Sequence, residues 1–216
     1  MQYGISILLS GISLGGQYAL IAIGYTMVYG ILRLINFAHG DVIMVGAYVC
    51  FFAMTGLSPM FEAGSMAAAV VPALAGVVLS MAVCTVLGVV IEGLAYKPLR
   101  QAPSLAVLIT AIGVSYFLQN SALILWSSSP KIFSPIVGSG SQKIGPLTIS
   151  HVTLVTIAAC VVIMLALTAF TGRTKMGKAM RACSEDRGAA QLMGINVNAT
   201  ISMTFAIGSA LAAIAG

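Results

Sequence analysis

The chain has 216 residues, of which 59% are hydrophobic and 7% charged, against about a quarter charged in soluble domains. That composition excludes an ordinary soluble domain and predicts an all-α, polytopic integral membrane protein. The net charge of +5 is no nucleic-acid footprint until its basic residues are assigned to a side of the membrane, and no nucleic-acid partner is expected.

Cys50, Cys84 and Cys160 lie in apolar runs and Cys183 in a polar one, with no C-x-x-C pair and no His at ligand spacing. Neither a disulfide frame nor a metal site is expected. The opening MQYGISILLS has no basic n-region and no small-residue cleavage site, so it predicts a retained first span rather than a signal peptide.

Six apolar runs follow one another, each near the roughly 20 residues that cross a bilayer. Span 1 runs from about Ile5 to Leu32, with Gln17 inside it and a Gly11/Gly15 pair whose spacing predicts close helix approach. Asn36, His39 and Asp41 cluster around Gly40. If span 2 began only at Val42 it would cover about 21 Å, whereas starting at Asn36 gives about 30 Å. The three polar residues then lie in the first turns of a span or in a broken, re-entrant segment, and His39 and Asp41 serve either as an interfacial hydrogen-bonded pair holding a helix end or as part of a pathway.

A turn at LSPMFEAGS, containing Glu62 and Gly64, leads to span 3. This span is expected from about Met66 to Leu94 with a break or kink near Pro72. Glu92 is expected to pair with Lys97 or Arg100. Span 4 covers about Ser104 to Trp126, with Trp126 as interface anchor and Gln119 and Asn120 as amides within the apolar run. The Ser-, Pro- and Gly-rich stretch from Ser127 to Ser150 predicts a loop with room for a short hairpin. Span 5 is expected from His151 to Phe170. Span 6 starts near Thr200, with Gly208, Ala212 and Gly216 at four-residue spacing; the pattern is still apolar at Gly216, so a truncated chain is expected.

Orientation follows from the basic residues near span ends. With the N-terminus outside, Arg33, Lys97, Arg100, Arg173, Lys175, Lys178, Arg181 and Arg187 are cytoplasmic, and Lys131 and Lys143 are outside. The opposite orientation would invert the bias.

Residues 173–197 form the one long polar interruption and hold five of the ten basic residues. Ser184 as N-cap, Glu185 and Asp186 in a first turn, and Gly194 as a stop predict one short helix, Glu185 to Met193. At about 13 Å it is too short to cross a bilayer, and Ala189, Leu192 and Met193 share a face suited to docking. In the same place Gly172, Gly177, Lys178 and Ala179 imitate a phosphate-binding loop. Ala179 offers no hydroxyl to Mg²⁺ and no strand precedes it, so nucleotide binding by this chain is not expected.

Particular motifs carry a family resemblance. Residues 16–30 read GQYALIAIGYTMVYG, 35–41 read INFAHGD, 95–100 read AYKPLR, and 181–186 read RACSED before Gly194-Ile195-Asn196; Ile112-Gly113 and Phe117-Leu118-Gln119-Asn120 add to them. Across residues 1–216 the chain resembles the permease subunits of ATP-binding-cassette importers for branched-chain amino acids, of the H-subunit type. The resemblance implies a bacterial inner-membrane protein with a second permease subunit, cytoplasmic ATP-binding subunits, a periplasmic substrate-binding protein and membrane lipid as partners. It implies no cofactor in this chain, ATP being bound by the partners. It also implies that residues 173–197 are the ATPase-coupling loop, carried by Arg181, Ala182, Glu185, Asp186, Ala189 and Gly194.

Gln17, Asn36, His39, Asp41, Gln119 and Asn120 are the candidates for the translocation path. Permeases for urea and short amides share much of the pattern and stay open as an alternative. An ion-coupled carrier would need an ionisable group deep in a span, whereas Asp41, Glu62 and Glu92 map near span ends. An intramembrane enzyme would need a nucleophile with a base, and His39 with Asp41 is the nearest approach to one. No catalytic residue is expected.

Overall fold

The computed structural model describes residues 2–33, 35–61, 66–132, 141–144 and 147–216. Glu62 and Gly64 of the expected turn lie outside the described residues, as do 133–140 and 145–146 of the long loop. Six helices are long and apolar enough to cross a membrane: α1 (Gln2–Leu32), α2 (His39–Leu57), α3 (Met66–Ile91), α4 (Ser104–Trp126), α5 (His151–Arg173) and, at the end of the chain, α8 (Val197–Ala215). Two shorter helices, α6 (Lys175–Glu185) and α7 (Arg187–Leu192), fill the polar interruption. The loop after α4 carries the expected hairpin, β1 (Ser141–Ile144) paired antiparallel with β2 (Leu147–Ser150) in the register Ser141↔Ser150. The fold is all-α apart from this ribbon.

α8 sits at the centre, against α1, α2 and α3, and it is the most buried of the six spans. Its small residues make that possible. A Cβ on Gly208 would stand 3.1 Å from the Gly24 carbonyl oxygen, and one on Gly88 would stand 2.7 Å from Ser209 Cβ. These are approaches between helix backbones, which lipid-exposed proteins stabilise through packing rather than through expulsion of water. Among the described residues of this chain the expected Gly11/Gly15 contact is not made: a Cβ at either meets nothing within 4 Å, whereas Gly16 packs on Cys160 and Gly24 on His39 and Gly208. One step along a helix turns a residue by about 100°, so spacing alone could not choose the face.

α5 leans on α1, and α4 touches the bundle through α2 and the segment after α3. Their outer faces, Phe117 and Ile124 on α4 and Val162 and Leu165 on α5, are exposed, as suits contact with lipid or another membrane helix. At one end Trp126 stacks on Tyr48 with ring centroids 4.5 Å apart. The opposite end gathers Arg33, Arg100, α6 and α7.

Two expected boundaries differ. α3 is continuous through Pro72, whose ring is buried; a proline removes one backbone bond but breaks a packed membrane helix less readily than a soluble one. After Ile91 the helix widens into a π-helical turn, Glu92–Tyr96. Span 2 becomes helical at His39 rather than Asn36, and residues 35–38 run as irregular chain and a turn.

Candidate functional site

The polar interruption folds as two helices rather than one. Thr174 begins α6: its hydroxyl oxygen accepts from Gly177 N at 3.0 Å and donates to Phe170 O at 2.7 Å. Gly177 is required by the tight turn out of α5, because a Cβ there would lie 2.5 Å from backbone atoms of Phe170 and Thr171. Gly177, Met180 and Cys183 form the buried side of α6, a three-residue spacing that presents one helical face. That side packs on α1, α5 and α8.

The chain breaks at Asp186, in extended conformation. Asp186 Oδ1 accepts from Gly188 N at 2.7 Å and Ala189 N at 3.1 Å, and so caps α7. Ser184, the expected cap, instead donates its hydroxyl to Arg181 O inside α6. A carboxylate is the stronger acceptor for helix N–H groups, and it wins the competition two residues later. Gly194 stops α7 in the left-handed region with φ +81. Gly194 N donates to Gln191 O and Ile195 N to Ala190 O, both at 3.0 Å, the paired bonds of a Schellman ending.

Ala190 faces inward, while Ala189 is exposed and Leu192 and Met193 are 90% and 82% exposed. Arg181 and Glu185 are also exposed, Ala182 is half-buried, and Asp186 and Gly194 hold the two ends of α7. The element is tied to the spans from both sides. Arg187 donates from Nε to Ile31 O at 3.1 Å and from Nη2 to the same oxygen. Arg33 Nη2 donates to Ser184 O and Glu185 O, each at 3.1 Å. Arg187 thus satisfies a carbonyl left free at the end of α1, and Arg33 satisfies carbonyls left free at the end of α6. Arg33 itself has φ +56, a conformation that costs a non-glycine residue about 1 kcal/mol.

Below this element lies a buried pair. Glu92 bonds Arg100, as expected of that carboxylate, and accepts from Ser202 Oγ at 2.7 Å; Arg100 also bonds Asn198. The pair therefore locks the π-helical turn to α8.

The second cluster surrounds the start of α2. Asn36 Oδ1 accepts from Ala38 N at 3.1 Å and Tyr96 Oη at 2.8 Å, which holds the irregular segment in place. His39 packs edge-on against Tyr25 with centroids 5.7 Å apart. Tyr25 lies seven residues before the end of α1, about 10 Å into the bundle. Asp41 Oδ1 accepts from Gln119 Nε2 at 3.0 Å, and Gln119 lies seven residues before the far end of α4, about 10 Å from that end.

Asp41 thus lies in the first turn of α2, one of the two placements expected from sequence, and its contact with Gln119 ties that turn to α4. His39 Nε2 and Asp41 Oδ2 are buried with no hydrogen-bond partner among the described residues, and His39 and Asp41 do not form the hydrogen-bonded pair considered from sequence. Beside them opens a cavity of about 330 Å³, lined by Tyr18, Tyr25, Asn36, Phe37 and His39. Gln17 and Asn120 stay apart from this cluster: Gln17 is half-buried on α1, and Asn120 donates to Tyr116 O on its own helix. Tyr96 was missed from sequence, since only the tertiary fold brings it to Asn36. No group of three metal-ligating side chains occurs among the described residues.

Residues 7–216 match the family described as branched-chain amino acid transport system / permease component. The chain is 41% identical over 212 residues to a high-affinity branched-chain amino acid transport system permease protein of Pseudomonas aeruginosa, covering 96% of this chain and 68% of that one. It is 42% identical over 220 residues to the protein of the same description in Escherichia coli K12, covering 99% of this chain and 70% of that one. A probable branched-chain amino acid transport permease protein of Methanocaldococcus jannaschii is 28% identical over 211 residues, 91% of this chain and 60% of that one. No solved structure matches.

Proposed function

The chain belongs to the family of branched-chain amino acid transport permease components, and from that premise we propose that it forms part of a path for branched-chain amino acids across the bacterial inner membrane. Transport is driven by ATP hydrolysed on cytoplasmic partner subunits, with a second permease subunit completing the path and a periplasmic binding protein delivering substrate. The observation that supports this most is the exposed apolar tip of α7, Ala189, Leu192 and Met193, held by arginines that grip the ends of the spans. A knob fixed at both sides transmits a push, whereas a free loop would absorb it. The eight-to-two bias of basic residues supports placing this end in the cytoplasm and the N-terminus outside.

Asn36, His39, Asp41 and Gln119 contribute polar groups to the path. Uptake into vesicles holding the complete transporter tests this: labelled leucine should enter with ATP and be competed by isoleucine but not by urea. Competition by urea would overturn the substrate assignment. In the same assay Asp41→Ala should lower uptake about tenfold with assembly unchanged, the loss expected when a buried hydrogen-bonding group is removed. Wild-type uptake would confine the cluster to holding α2 in place.

Sidedness has its own test. Cysteines introduced at Lys131 and Lys178, both exposed positions, should react with an impermeant maleimide from opposite faces of the membrane. Labelling of both in intact cells would refute the orientation.

A further inference from the structure

Three guanidinium groups, those of Arg33, Arg100 and Arg187, line one cavity of about 220 Å³ at the basic end of the bundle, over a floor that includes Leu32 and Val107. Among the described residues the one carboxylate that bonds any of them is Glu92, which is already shared between Arg100 and Ser202. Their donors are not exhausted. Arg33 spends Nη2 on Ser184 O and Glu185 O, Arg187 spends Nε and Nη2 on Ile31 O, and Arg100 spends both terminal nitrogens. Arg33 Nε and Nη1 and Arg187 Nη1 remain for a ligand, and Arg100 Nε is buried with no acceptor among the described residues. Three like charges around one cavity repel, and guanidinium forks match the oxygens of a phosphate.

We propose that this cavity is a binding site for a phosphate-bearing anion, at the junction of the ends of α1 and α3, the start of α4, and α7. Burial, with the charges of Arg100 and Arg33, already holds the Arg187 guanidinium below its ordinary value, as expected where cations lack a counter-charge. Two sources supply such a group: the headgroup of an anionic phospholipid, whose chains would follow the exposed Leu105 side of α4, or free phosphate from solution. In either case the anion bridges the arginines that grip α6 and α7, so occupancy stiffens the attachment of that element to the spans. Anionic lipid next to basic interface pockets is favoured electrostatically in the same way.

The test uses the protein in its membrane assembly, placed in nanodiscs of phosphatidylcholine alone or doped with phosphatidylglycerol. Phosphatidylglycerol retained through delipidation is counted by native mass spectrometry, and labelled inorganic phosphate is titrated into the phosphatidylcholine discs. One bound anion per chain is expected in the wild type. Binding about tenfold weaker is expected in Arg33→Gln, the order lost with one charge-assisted contact. Ala102→Glu, at a half-buried position lining the cavity, puts a carboxylate in the anion's place and should weaken binding similarly while leaving all three arginines. Retention of phosphatidylglycerol alone identifies the headgroup, binding of phosphate alone identifies the free ion, and both support the site. Equal binding by the wild type and Ala102→Glu, or no binding of either probe, overturns it.

Discussion

Ala189→Arg is expected to abolish ATP-driven uptake by the complete transporter while leaving membrane insertion and the spans intact. Ala189 is exposed on α7, next to Leu192 and Met193 on the same apolar tip. Burying two such side chains against a partner is worth about 1.5–3 kcal/mol each. A long charged residue among them would both prop the surfaces apart and strand a charge in a desolvated contact. Uptake should fall by about a hundredfold or more, the factor that corresponds to a loss of roughly 3 kcal/mol. Vesicle uptake and ATP hydrolysis, measured together, separate uncoupling from misfolding. Glu185 is exposed and its side chain makes no ion pair among the described residues, so Glu185→Lys should change uptake far less, exposed charges contributing about 1 kcal/mol or less.

Glu92→Leu is expected to be the most destabilising single change in the interior. The carboxylate is 2% exposed and its Arg100 partner 14%, and removing one member of a buried pair costs about 3–5 kcal/mol because the other charge stays behind. Ser202 loses its acceptor as well. The double change Glu92→Leu with Arg100→Leu should recover part of the loss, since no uncompensated ion then remains. Thermal unfolding in detergent compares the two; equal melting of Glu92→Leu and the wild type would show the pair to be expendable.

The spans were legible because a bilayer demands about 20 apolar residues, and the Glu92–Arg100 pair because the two residues lie eight apart around one helix end. Where two local solutions were close in energy, sequence could not choose. Ser184 and Asp186 are both good caps, and the break between α6 and α7 depends on which takes the free N–H groups. The face of α6 carried by Gly177, Met180 and Cys183 was present as a helical spacing in the sequence but went unread amid its basic residues. The start of α2 was narrowed to two alternatives by length alone. Asn36, just before that start, is held by a bond to Tyr96 sixty residues away, which no local pattern announces. Among the described residues Gly24 and Gly88 are contact points and Gly11 and Gly15 are not, because helix rotation is set by neighbours rather than by spacing.

We propose α7 as the docking surface for an ATP-binding subunit. A photo-crosslinking residue at Leu192, 90% exposed, tests it directly in the complete transporter. A single dominant adduct with an ATP-binding subunit is expected, lost in Ala189→Arg. Adducts with lipid alone, or an equal yield in Ala189→Arg, would contradict it.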